Sequence, residues 1–380
     1  MAKKIKLGLL GCGTVGTGVL KVLQENYHDI RAKIGNDIEV SKVLVRNLNK
    51  KRDFNGDVVF TDNIDDILND ESIDIVVELL GGIHPAREYM LKAMENGKHV
   101  VTANKDVLAQ FGKDMFDAAE KHDVDFMFEA SVAGGIPIIN GISQSLTANK
   151  INTLYGIING TTNYILSKME LENLNFEDVL KEAQDKGYAE ADPTSDIEGY
   201  DAQYKLVILS SLAFGTKIKP EHVYREGITK INSIDMEYAS SFGMVIKLLA
   251  IAKEENGELE LRVHPTMIPE THPLANVYDS FNAVFINGNA VGDMMFYGRG
   301  AGSLPTGSAV VSDIIWILRN NVEVENMQPV VKNNLWEMNI KDLKDIESRY
   351  YLRITVSDKP GVLGQITTIF GANKVSLKSV

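Results

Sequence analysis

Three glycines at fixed spacing, Gly11-Cys-Gly13-Thr-Val-Gly16, stand between an apolar run at 5–10 and a helical repeat at 15–27. Val15, Val19, Leu20, Val22 and Leu23 share the inner side of that repeat. A strand that turns at glycine into a helix has few physical uses. The first glycine permits the tight turn, the second lets a pyrophosphate approach the backbone, and the third lets the helix close on the strand. Free N–H groups and the positive end of the helix dipole then face whatever lies in the turn. Glycine-rich turns also arise for purely structural reasons, so the surroundings decide the reading.

Those surroundings favour a dinucleotide. Strand-like runs at 38–45, 74–80, 98–102 and 124–129 alternate with helical patterns such as 85–96 and 106–122. Buried strands in such alternation imply right-handed crossovers and a doubly wound parallel sheet of the Rossmann type, spanning 1–130. Residues 132–137 are small and glycine-rich, the composition of a hinge. Beyond them, helical patterns at 162–171, 176–186, 202–214 and 236–255 mix with strand-like runs at 259–268, 283–287 and 290–297. This predicts an α+β domain with a mixed sheet over 131–305, with 306–320 returning to the first domain as a helix. Residues 321–347 read as a linker region, and 348–380 as a further small module.

Composition removes several functions. The chain has 380 residues and a formal charge of −13, which gives no whole-molecule attraction to nucleic acid or an anionic membrane. Its single cysteine, Cys12, allows neither an intrachain disulfide nor a multi-cysteine metal site. No apolar run approaches the roughly 18 residues of a spanning helix, and the first residues turn polar too soon for a signal peptide. A cytoplasmic enzyme is the expectation.

The second strand-like run ends at Arg46, with Lys50, Lys51 and Arg52 close behind. An acid near that strand end suits ribose hydroxyls, whereas an arginine suits a 2′-phosphate through a bidentate grip. Beside the glycines this points to NADPH, with NADH as a second cofactor. A solvated basic turn is the bland alternative.

The segment Ala183-Gln-Asp-Lys-Gly187-Tyr-Ala-Glu190-Ala-Asp192-Pro193-Thr-Ser-Asp196-Ile-Glu-Gly199-Tyr-Asp201-Ala-Gln-Tyr-Lys205 resembles the signature of homoserine dehydrogenases. Val101-Thr102-Ala103-Asn104-Lys105, Asn159-Gly160-Thr161-Thr162-Asn163, and Gly300-Ala301-Gly302 ahead of Pro305-Thr306 resemble other blocks of that family, in its order. The resemblance implies NAD(P)-dependent interconversion of aspartate 4-semialdehyde and homoserine, in threonine and methionine biosynthesis, by a homodimer built through the second domain. It also implies cofactor contacts at Gly11, Gly13, Thr14, Val15, Gly16, Thr102, Gly187 and Gly302. Glu190 would then touch substrate, and Lys105 would stand between nicotinamide and substrate.

The chemistry of the signature is legible without the family. Hydride delivery to an aldehyde leaves a developing alkoxide, and a lysine can protonate and stabilise it. Lys205 follows Asp201 by four positions, so on a helix both point from one face. Glu190, Asp192 and Asp196 sit in a proline-broken loop, where carboxylates can bind a substrate ammonium or simply cap the next helix. Asp196 is the first candidate for such a cap. His84 and His99 have no partner pattern and read as structural or surface residues, and Cys12 as a small packing side chain.

Two further readings rest on resemblance. The run from Glu129 to Ile136 resembles the family's monovalent-cation loop, a sodium-type site that would use the Glu129 carboxylate and the carbonyls of Val132, Gly134 and Ile136. A structural glycine hinge fits the same residues. Residues 349–356 alternate as a strand, 358–361 form a turn, 362–370 have helical spacing and 375–380 begin another strand. That order resembles the first half of an ACT domain, an amino-acid-sensing module, and half a module implies weak or absent feedback by threonine. The rivals to the dehydrogenase are a non-catalytic nucleotide sensor and a dehydrogenase of another amino-acid semialdehyde.

Overall fold

The computed structural model describes residues 4–54, 56–321 and 354–377. Met1–Met327 and Gln328–Val380 are separate compact units.

The first unit holds two six-stranded sheets. The first sheet contains β1 (Lys4–Leu10), β2 (Asp37–Leu44), β3 (Val59–Thr61), β4 (Ile75–Glu78), β5 (His99–Thr102) and β6 (Phe126–Met127). Its order is β3-β2-β1-β4-β5-β6, and every pair is parallel. The chain therefore runs outward from β1 in one direction and then, from β4, in the other. That reversal opens a crevice at the carboxyl ends of β1 and β4, where ligands of such sheets bind. Ile5, Leu7, Leu9, Ile75 and Val77 face one apolar layer together with Val19 and Leu20 of the helix Thr14–Glu25. Val310, Ile314 and Ile317 of the helix Ser303–Asn321 complete it, so the chain does come back to the first sheet.

The second sheet contains β7 (Ile151–Ile157), β8 (Tyr224–Arg225), β9 (Met244–Glu255), β10 (Glu258–Pro269), β11 (Phe281–Gly288) and β12 (Gly292–Arg299). Its order is β12-β11-β7-β9-β10-β8, antiparallel except where β8 runs beside β10. It is a mixed sheet.

One expectation fails here. The stretch 236–255 is not one helix: a helix spans Ser233–Ser241, Gly243 turns the chain at φ +67°, and β9 follows. Along β9, Ile246, Leu248, Ala250 and Ala252 enter the main core while Val245, Leu249 and Ile251 enter a smaller cluster on the opposite face. A strand covered on both faces is apolar throughout and loses the alternation that would distinguish it from a buried helix. β3, a three-residue edge strand, left no comparable signal.

In the second unit a helix spans Val362–Ala372 and none of its residues is buried. Ile354–Val356 and Val375–Leu377, parts of the two expected strands, pair with no strand among the described residues. The remainder of those strands and the linker region 322–347 lie outside the described residues.

Candidate active site

The glycine turn joins β1 to the helix Thr14–Glu25 at the mouth of the crevice. Gly11 adopts φ +109°, and a Cβ there would stand 2.9 Å from the Leu79 carbonyl oxygen. A Cβ on Gly16 would fall inside the contact distance of the Gly11 carbonyl oxygen, so strand and helix close tightly only with glycine here. Gly13 differs. A Cβ would meet nothing within 4 Å, and no side chain caps the helix it precedes. Open space before uncapped N–H groups, those of Thr14 and Val15 among them, fits a pyrophosphate. Cys12 is a half-buried free thiol with its Sγ 3.8 Å from the Thr17 Oγ1, a packing residue as its position suggests. From the returning segment, Gly302 precedes Ser303, whose hydroxyl donates to the Thr14 carbonyl.

Arg46 lies just past β2, exposed and without a hydrogen bond or ion pair to any described residue. Arg52 is engaged instead, donating to the carbonyls of Asn47 and Lys50 and lying over Phe60. Arg52 shapes the basic turn and leaves Arg46 free to meet a ligand.

Sequence reasoning missed Glu78. It ends β4 fully buried, accepting from the Leu80 and Gly81 amides and from the Thr102 hydroxyl at 2.6 Å. Burial pushes its carboxyl pKa up despite those donors. Thr102 in turn accepts from the Asn104 amide, and the Asn104 side chain caps the helix Lys105–His122. The Thr102 hydroxyl thus faces Glu78, and the whole bracket fixes the point where Lys105 leaves the sheet. An acid closing an otherwise apolar strand, Ile75-Val-Val-Glu78, was the available signal.

Lys105 reaches across to the helix Tyr200–Phe214, where its Nζ stands 3.3 Å from Asp201 Oδ1. Lys205 Nζ donates to Asp201 Oδ2 at 2.7 Å and to the Ile158 carbonyl at 2.9 Å. One buried carboxylate is thereby shared by two ammonium groups. Burial favours the neutral form of Asp201, yet the charges of Lys205 and Lys105 outweigh it and hold the pKa below the ordinary range. Burial likewise disfavours the Lys105 charge, and Asp201 overcomes it, raising that lysine's pKa. Both members of the pair are ionised at neutral pH.

The acidic loop divides its roles. Asp192 closes a turn onto the Thr194 amide and hydroxyl, Asp196 lies in the first turn of the short helix Thr194–Ile197, and the helix Tyr200–Phe214 that follows starts at Gly199 with no side-chain cap. Asp196 accepts from Asn159 Nδ2 at 2.7 Å instead, and burial raises its pKa. Glu190 is exposed, and its carboxylate makes no hydrogen bond with the described residues. Gly187, at φ +76°, is exposed too and ends the turn after the helix Phe176–Asp185. Neither touches the Asp201 group directly. His99 Nδ1 accepts from the Asp125 amide and His84 Nδ1 hydrogen-bonds to Glu88, both away from this cluster.

Glu129 is buried where the chain leaves the first sheet, and its two oxygens accept from the Ile139 and Asn140 amides. The Ile136 carbonyl accepts from the Ile138 amide, while Gly134 turns the loop at φ +52° beside buried Val132. The Glu129 amide donates to Asp313 Oδ2, and burial pushes the Asp313 carboxyl up to about 8. No cluster of three or more His, Cys, Asp or Glu side chains suited to a metal occurs among the described residues.

A parallel sheet with an open glycine turn after its first strand, together with two lysines sharing one buried aspartate, defines an NAD(P)-dependent oxidoreductase. Comparison narrows the class. The homoserine dehydrogenase family profile matches residues 137–315, and the profile of the homoserine dehydrogenase NAD-binding domain matches residues 11–129. The homoserine dehydrogenase of Neisseria gonorrhoeae is 46% identical over 100% of this chain and 88% of its own length. The crystal structure of a homoserine dehydrogenase from Thiobacillus denitrificans superposes with a TM-score of 0.82 at 45% identity, covering 100% of this chain and 88% of that one. A hyperthermophilic archaeal homoserine dehydrogenase mutant in complex with NADPH is similar at a TM-score of 0.70 and 26% identity, over 82% of this chain and 97% of that one. The chain belongs to the homoserine dehydrogenase family. Its cofactor is a nicotinamide dinucleotide. No helix among the described residues is long and apolar enough to cross a membrane.

Proposed function

We propose that this protein reduces L-aspartate 4-semialdehyde to L-homoserine in the cytoplasm, with NADPH preferred over NADH. The sharing of Asp201 between Lys105 and Lys205 is the observation that carries this reading. The bound nicotinamide supplies the hydride. Its dinucleotide would be held by Gly11, Gly13, Thr14, Val15 and Gly16 at the turn, by Gly302, by Gly187, and by Arg46 on a 2′-phosphate, while Thr102, fully buried with its hydroxyl committed to Glu78, would brace the crevice edge from behind.

An ammonium carries three donors. Lys205 spends two of them on Asp201 and the Ile158 carbonyl, which leaves one for the substrate oxygen. As hydride arrives, that N–H gives its proton to the developing alkoxide. Lys105, kept charged by Asp201, adds positive field on the cofactor side. Asp201, Asp196 and the exposed Glu190 supply negative charge for the substrate ammonium. Initial rates of semialdehyde reduction and homoserine oxidation with NADPH and NADH test the reading. Cofactor binding without turnover of either substrate would make the protein a nucleotide sensor, and turnover of only a different semialdehyde would move it to the other rival.

Glu129 with the carbonyls of Val132, Gly134 and Ile136 is proposed as a sodium-type cation site. What supports it is a buried carboxylate beside buried Asp313, with amide donors but no ion-pair partner among the described residues. Added sodium should raise the melting temperature of protein prepared free of alkali cations; no shift up to physiological concentration removes the site. The domain reading follows the same plan: 1–130 with 306–320 for the dinucleotide, 131–305 for substrate and homodimer contacts, 321–347 as linker and 348–380 as an ACT-type module. Threonine titration tests the ACT-type module, and a mass measurement in solution tests the homodimer.

A further inference from the structure

Asn159 lies at the end of β7, 5% exposed, as the N-cap of the helix Gly160–Glu172. Its Oδ1 accepts from the Thr162 amide at 2.9 Å, which fixes the orientation of the side-chain amide. The two N–H groups must then point the other way. One goes to Asp196 Oδ1 at 2.7 Å and the other to Asp201 Oδ2 at 2.8 Å. The neighbouring Ile158 carbonyl accepts from Lys205.

We propose that Asn159 is a positioning residue for the dehydrogenase reaction: its amide clamps Asp196 and Asp201 together, so that Asp201 stays oriented between Lys105 and Lys205. This rests on the function proposed above. The argument is electrostatic and geometric. Two carboxylates held side by side repel, and one of them tends to take up a proton. A donor pair reaching both offsets that repulsion and fixes each oxygen. Asp201 Oδ2 is then held by Lys205 and Asn159, while Oδ1 is left facing Lys105. Without the clamp, Asp201 is free to rotate toward either lysine, and Lys205 loses the partner that aims its remaining proton.

The helix cap and the clamp can be separated by substitution. Aspartate and serine are N-caps as good as asparagine, so Asn159→Asp and Asn159→Ser keep the acceptor toward Thr162. Neither supplies an NH₂ that spans two carboxylates, and aspartate adds a third negative charge. Both variants should fold and bind NADPH with an unchanged dissociation constant. Their kcat should fall about 10- to 100-fold, the scale of a lost hydrogen bond to a charged group, with Asn159→Asp the lower of the two. A residue that only caps the helix predicts near wild-type kcat in both, and that result overturns the proposal. Asn159→Ala, which loses cap and clamp, should match Asn159→Ser in kcat but melt at a lower temperature. If the wild-type enzyme itself fails to turn over homoserine, the functional reading falls instead, so the two failures are distinct.

Discussion

Lys105 and Asp201 meet across the junction of the two sheets, Nζ to Oδ1, at 3.3 Å. One leaves the parallel sheet at the head of a helix, and the other starts a helix that packs on the mixed sheet. The contact joins the helix that follows the parallel sheet to the helix beside the mixed sheet through a carboxylate that Lys205 already holds.

Replacing Lys205, the proposed proton donor, should stop chemistry and spare cofactor binding. Lys205→Ala is expected to lower kcat by roughly 10²–10⁴, the worth of a positioned acid or base. NADPH affinity should stay within a factor of two. Turnover near wild type would remove Lys205 from its role.

Arg46 should discriminate between the cofactors. Arg46→Ala is expected to raise the KM for NADPH and leave NADH nearly unchanged, because only NADPH carries the 2′-phosphate. The penalty should shrink with added salt, since exposed charges are screened over roughly 8–10 Å at ordinary ionic strength. Equal weakening of both cofactors would make Arg46 structural.

Gly18 sets how closely the helix Thr14–Glu25 meets the returning helix. A Cβ there would overlap the Ser303 carbonyl oxygen, a backbone atom that cannot swing aside. Alanine is the better helix former by about 1 kcal/mol. Overpacking costs ~1–3 kcal/mol or more and should win. Gly18→Ala is therefore expected to lower the denaturation midpoint, and an unchanged or higher midpoint would contradict the packing.

Asp70 should contribute to acid sensitivity. Hydrogen bonds from the Ser72 hydroxyl and from Lys42 hold its carboxyl far below the usual range. A carboxyl with a depressed pKa in the fold stabilises at pH values above its unfolded pKa of about 3.9, and that stability is lost as pH falls through the folded value. Asp70→Asn should thus be less stable than wild type at pH 7, with the gap narrowing below about pH 4. Denaturation midpoints across pH 3–7 measure it; a gap independent of pH would show that the carboxylate's charge does not matter.

Much of the site was legible because its chemistry is local. The strand–glycine–helix turn follows from three residue identities, and the Asp201–Lys205 contact follows from the helical period. Asn159 belongs to the family-like segment Asn159-Gly160-Thr161-Thr162-Asn163, but its two carboxylate partners come from a distant loop and helix. Assigning the cap to Asp196 failed for a related reason. The helix Tyr200–Phe214 starts at Gly199 with no side-chain cap, and Asp196, in the first turn of the short helix before it, is drawn to Asn159.

By itself the sequence determined the alternating architecture of the first sheet, the glycine turn from strand to helix and the lysine one helical turn beyond an aspartate. These depend on periodicity and on side-chain chemistry within a few positions. The tertiary structure decided that 244–255 is a strand, that Glu78 braces the loops around Lys105, and that Lys105 shares the carboxylate of Lys205. A run buried on both faces carries no period, and the ionisation of a buried acid depends on which charges the fold brings within a few ångströms of it.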